Sequence, residues 1–328
     1  NEIVEPYVTV DPQIITALGE SARGDNDRDV RIAAIRSLGV LRGKDAIPQL
    51  ADAMNADRDV RVDVLRTLIK IGDPAAGPHL AAFFRDSDQK VRTQAMVAAG
   101  ILKYKPAVEP LMSVYGLGPE KKSPIASVAR KIKGTFSYIP PRDEAALWAL
   151  SLIGDEKAEQ LFVENITDKD GDRRQYAFEG LARIGDSKYT DQISRIVLTE
   201  PNGDAKLAEY WALYKMGSKP DLQHVVRKLD SFQEKQARSY LLESDPADLY
   251  PFLRSSNNTI KRGVIEILGQ IGNEATIEQL KPIVQASGAE TTDLATVAMK
   301  RIEWRVTGHP RGADEILQRE TRPRKINP

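Results

Sequence analysis

The 328-residue chain contains no cysteine, which excludes disulfides, thiol nucleophiles and cysteine-bound metal together. Histidine is nearly as scarce. His79, His224 and His309 stand far apart, with no HExxH string and no His-Glu pair to hold a metal. Net charge is missing as well: Lys plus Arg and Asp plus Glu both number 47, so no global field gathers nucleic acid or an anionic membrane. No apolar run approaches the ~18 residues that would span a bilayer. Aromatics are 6% of the chain, which suits thin layers filled by small aliphatic side chains. A phosphate loop is absent, because the string at residues 39–45 is one residue short and ends in Asp45 rather than Ser or Thr. With no Ser-centred elbow either, nucleophilic catalysis lacks its parts. Carboxylate acid–base pairs stay open, given 47 acids, but the expectation is a non-enzyme with no cofactor. The sequence begins at Asn1 with no signal-peptide pattern, so either a leader has been removed or the sequence starts inside a longer protein. That start, together with the lack of cysteine, points to an extracytoplasmic location.

What the chain does have is a unit of about thirty residues that recurs. Val30-Arg31, Ala34, Leu38 and Leu41 align with Val60-Arg61, Val64, Leu68 and Ile71-Gly72. The same string returns as Val91-Arg92, Ala95, Ala99 and Leu102, and as Ile260-Lys261, Val264, Leu268 and Ile271-Gly272. Offsets of four, four and three trace one face of an α-helix, and a fixed period of this size means a solenoid whose units bury their apolar faces against neighbours. First helices are expected near residues 12–22, 44–54, 74–84 and 106–115, and second helices near 28–41, 58–71 and 88–102. Asp57, Asp86 and Asp88 are placed to cap helix starts. Gly72, Gly154, Gly185, Gly217 and Gly272 are placed to end second helices in a left-handed residue. Residues 233–242 supply a further second helix, and residues 275–285 and 292–306 close the array.

One place breaks step. Residues 123–133 fit the repeat poorly, while residues 142–153 fit it well, which predicts an odd helix and a seam between two sub-arrays. The expected organisation is an extended lead-in at 1–11, an N-terminal array at 12–133, a seam loop at 134–141, a second array at 142–308, and a basic, disordered tail at 309–328.

These Asp-x-x-Val-Arg-x-x-Ala-x-x-x-Leu-like strings resemble the HEAT-repeat family over residues 12–306, and more closely its short bacterial units of the kind also seen in phycobilin-lyase-type proteins. The resemblance implies an all-α fold: a right-handed, armadillo-like α-α superhelix of about nine helix pairs plus one odd helix, with second helices lining a concave face. It implies a protein-protein interaction scaffold that holds a protein or peptide along that face. The alternative is a lyase or chaperone-like protein acting on a tetrapyrrole or another bulky ligand, with a pocket near Trp148 or Trp211. The iron-dependent hydroxylase branch of the family uses His-Glu pairs that this sequence lacks.

Candidate site residues fall into groups. A cation recurs eleven residues before each terminal glycine, at Arg61, Arg174, Lys206 and Lys261, and the same register gives Arg31 and Arg92, while Asp143 interrupts it. Such a ladder either grips an acidic partner or pairs internally with aspartates and helix-end carbonyls of neighbouring turns. Arg36 and Arg66, five residues further on, form a second series and read as solvated. At the seam Lys121, Lys122, Arg130, Lys131, Lys133 and Arg142 face one acid, Glu120, with Phe136 and Tyr138 interleaved. That is the composition of a patch for an acidic protein, or less readily for nucleic acid, against the plainer reading of an irregular basic surface. Asp168, Asp170, Asp172 and Glu179 imitate a calcium loop but lack its glycine, since Arg173 stands there, and read better as a helix cap. Tyr210, Trp211 and Tyr214 either anchor a partner or belong to the core.

Overall fold

Aspartate opens helix after helix. Asp11, Asp27, Asp88 and Asp170 each accept a hydrogen bond from the backbone amide two residues on, at 2.7 to 3.0 Å, and so satisfy donors that a helix start leaves without partners. The computed structural model describes residues 10–118, 140–285 and 289–307. Within them the helices are α1 (Pro12–Gly24), α2 (Arg28–Val40), α3 (Ile47–Ala56), α4 (Arg61–Ile71), α5 (Gln89–Ile101), α6 (Val108–Tyr115), α7 (Arg142–Ile153), α8 (Glu159–Asn165), α9 (Gly171–Ile184), α10 (Thr190–Ile196) and α11 (Gly203–Lys215). They continue as α12 (Leu222–Val226), α13 (Glu234–Leu241), α14 (Pro246–Leu249), α15 (Asn258–Ile271), α16 (Glu274–Gln285) and α17 (Ala289–Thr307). No strand occurs among the described residues. The fold is all-α and repetitive.

Second helices follow the expected register closely, whereas first helices are often replaced. The first helix expected at 74–84 is two 3-10 segments, Pro74–His79 and Ala81–Phe83. Pro78 inside it has no amide to donate and its ring blocks a regular α-turn. Ends differ too. Gly72, Gly154 and Gly185 adopt the left-handed conformation, at φ 72°, 65° and 74°, and Gly217 has φ 111°. Gly272 departs from the expectation, with φ −63° and ψ 167°. Two non-glycine residues, Arg42 and Lys103, occupy the equivalent place after α2 and α5 at φ 50° and 52°, a conformation in which a Cβ crowds the following carbonyl.

The chain divides into two compact units, residues 1–212 and 213–328, so the division falls within α11. In the first unit the second helices stack in order: α2 on α4, α4 on α5, α5 on α7 and α7 on α9. Residues 134–139 of the expected seam loop lie outside the described residues, but α5 and α6 both pack directly on α7 across it. Gly100 makes that approach possible, because a Cβ there would come within 3.0 Å of the Ala149 backbone. The expected odd helix also lies outside the described residues. The core of this unit is built from residues such as Leu38, Leu65, Leu68, Ala95, Leu150 and Leu181, all fully buried. In the second unit α15 and α16 pack on α17, and Gly269 repeats the close approach, with a Cβ there 3.0 Å from Ala298 Cβ.

Candidate functional site

The cation ladder is tied into the fold. Arg31, Arg92 and Arg174 each donate from one guanidinium nitrogen to a backbone carbonyl six residues earlier, at Asp25, Asp86 and Asp168. Arg61 donates to the Met54 carbonyl and lies 5.1 Å from the Phe83 ring centroid. Three of the four also reach the next turn: Arg31 meets Asp57 at 2.8 Å, Arg61 meets Asp86 at 2.7 Å, and Arg174 grips Glu200 with two bonds of 2.7 and 2.6 Å. These side chains are largely buried, and the partners lie 25 or 26 residues ahead. Burial works to raise the Asp57 and Glu200 carboxyls. Backbone amides and the arginines outweigh it and hold both below the usual carboxylate range. Arg31, Arg61 and Arg174 therefore clamp one repeat to the turn of the next. Asp143, which breaks the register, runs the clamp backwards: it accepts from Arg173 of α9, and Arg173 also lies over the Tyr115 ring.

Lys206 and Lys261 are half-buried and make no ion pair among the described residues. Lys206 contributes instead through space, favouring the charged form of Glu200. Trp211 is fully buried and Tyr214 nearly so, which puts these two in the core, while Tyr210 is half-buried. The Arg183 guanidinium lies 4.9 Å from the Trp211 ring centroid and donates to the Ser151 carbonyl. Lys131, Lys133 and Tyr138, with the rest of the basic seam apart from Arg142, lie outside the described residues. Asp168 and Asp170 accept backbone amides of the turn entering α9. Glu179 is buried and accepts from Gln175. Among the described residues no three acids or histidines converge as a metal requires, and no helix is long and apolar enough to cross a membrane.

One residue escaped the sequence analysis. Three positions after each ladder residue stands a small apolar side chain: Ala34, Val64, Ala95, Ala146, Ala177 and Val264, all buried. In α11 that position is Glu209, which is 0% exposed, and neither carboxyl oxygen meets a hydrogen-bond donor among the described residues. Burial pushes its pKa up to about 8; the Glu200 charge adds to the rise, while Lys206 and Arg174 oppose it. Counting on three residues from Lys206 would have exposed the anomaly.

A groove of about 490 Å³ runs across α2, α4 and α5, lined by Arg36, Val40, Asp63, Arg66, Ile69 and Lys70 among others. Arg36 meets Asp63 at 3.0 Å, while Arg66 and Lys70 have no ion-pair partner among the described residues. Val40 and Ile101, equivalent positions on α2 and α5, are 53% and 43% exposed. Further along, Trp148 of α7 stacks on Tyr176 of α9 with ring centroids 5.9 Å apart.

Residues 15–115 match the family model for HEAT repeats. Among solved structures, the complex of CpcE and CpcF of phycocyanin lyase from Nostoc sp. is 19% identical, covers 92% of this chain and 98% of that chain, and has a TM-score of 0.46. Human deoxyhypusine hydroxylase in complex with glycerol is 16% identical, with 89% and 96% covered and a TM-score of 0.34. An engineered protein is 17% identical, with 96% and 90% covered and a TM-score of 0.33. No curated protein matches the sequence. The sequence match and the stacked elements α1 to α6 agree: the chain carries HEAT repeats over residues 15–115, and its all-α repeat fold continues beyond them.

Proposed function

We propose that the protein is a non-catalytic scaffold that binds a protein or peptide along the second-helix face of its N-terminal array. The observation that supports this most is the groove across α2, α4 and α5, where the exposed Val40 and the half-buried Ile69 lie beside Arg66 and Lys70, cations with no ion-pair partner among the described residues. Aliphatic anchors flanked by charge suit a partner segment that buries a few side chains and orients by electrostatics. Arg31, Arg61 and Arg174, held in clamps, make a stiff frame behind that face rather than the face itself. The ladder's remaining members, Arg92, Lys206 and Lys261, and the seam residues Lys131, Lys133 and Tyr138 extend the candidate surface.

The test is a pull-down from native lysate, with the wild type beside an Arg66→Glu, Lys70→Glu double variant at stepped wash salt. A protein retained stoichiometrically by the wild type and lost by the variant, with helicity unchanged, supports the groove. Equal retention by both places the contact elsewhere. A second role, acting on a bulky planar ligand, draws on the Trp148–Tyr176 stack, which stays half-exposed. A visible absorbance band in the purified protein, lost with Trp148→Ala, would favour it.

A further inference from the structure

A carboxyl at the apolar core position of a repeat is a conflict that a single proton can resolve. Below its titration Glu209 is neutral and packs as its counterparts Ala177 and Val264 do. Once ionised it places a charge in the core of α11 with no donor among the described residues on either oxygen. The cations nearest to it do not neutralise that charge. Arg174 is held by two hydrogen bonds to Glu200 and a third to the Asp168 carbonyl, and Lys206 is shared with Glu200. Glu200 itself, 7% exposed and held in its charged form, adds like-charge repulsion. Two contacts seat α11 against α9 close by: Arg183 over Trp211, and Asn202, which caps the start of α11 and lies beside Gly171.

We propose that Glu209 is a proton-operated latch: with its proton it lets α11 pack against α9, and without it the buried charge loosens that seat. The sign follows from linkage. The folded chain holds a proton on Glu209 that the unfolded chain has already released, so the packing of α11 weakens as pH rises through about 8.

Amide hydrogen exchange on the full chain, read by mass spectrometry at pH 6.5 and pH 9 and corrected for intrinsic exchange rates, tests this. Peptides within residues 203–212 are expected to lose at least about tenfold in protection at pH 9, because the equilibrium shifts about tenfold per pH unit up to the titration near pH 8 and levels off above it. Peptides from α4 serve as the control and should keep theirs. Glu209→Gln should abolish the difference, and Glu209→Ala, which restores the residue of the other repeats, should do so if the glutamine variant folds poorly. A wild type with no pH dependence in α11, an undiminished dependence in both variants, or an equal loss in α4 would each overturn the latch.

Discussion

The repeats around α2 and α4 and the repeat around α11 begin from the same pattern and reach opposite outcomes. At α2 and α4 an arginine clamps to an acid one turn ahead, and the residue three positions on, Ala34 or Val64, vanishes into the core. At α11 the ladder residue is Lys206, which finds no salt-bridge partner among the described residues, while the residue three positions on is Glu209. The acid that a clamp would place at a neighbouring turn is here inside the layer. The difference shows that a carboxyl can occupy the core position of a repeat while it keeps its proton.

The comparison breaks most sharply at Arg61. Arg61→Glu leaves Asp86 buried beside a second negative charge and should cost about 3–5 kcal/mol, read as a fall in the urea midpoint by circular dichroism; loss of less than about 1 kcal/mol would mean that the clamp is ornamental. The wild type should lose up to about 3 kcal/mol between pH 4.5 and pH 7 from Glu209 alone. The loss continues towards pH 8, and Glu209→Gln should flatten that slope in the same assay. Gly100→Ala, which pushes a methyl against the Ala149 backbone between α5 and α7, should cost about 1–3 kcal/mol. Arg42→Gly should stabilise by about 1 kcal/mol, because glycine removes the Cβ strain at φ 50° that Gly72 avoids. An unchanged or lower melting temperature for that variant would show that the Arg42 side chain contributes more than its strain costs.

Much of this could be read in the chain before any coordinates. The second helices and their buried Leu38, Leu68, Leu150 and Leu181 follow from the three- and four-residue spacing, since an amphipathic face must bury wherever neighbours repeat it. The aspartate caps are equally local. First helices were less legible: residues 74–84 carry a helical pattern, but Pro78 diverts them into 3-10 turns. Gly272 looks like its counterparts in sequence and ends its helix in an extended conformation, because neighbouring groups, not the glycine, choose among conformations open to it. The division into two compact units carries no mark in the sequence. Residues 134–141 carry the visible break in sequence, yet helices on either side of it touch, and the compact units divide inside the unbroken helix α11.

By itself the sequence determined the period, the helical class and the position of each cation, since these depend on neighbours within one or two turns of chain. Tertiary structure alone decided what the cations do and what Glu209 costs. Whether Arg31 meets Asp57 or solvent, and whether a carboxyl holds its proton, depends on the charges and the dielectric that residues 25 or more positions away bring to it.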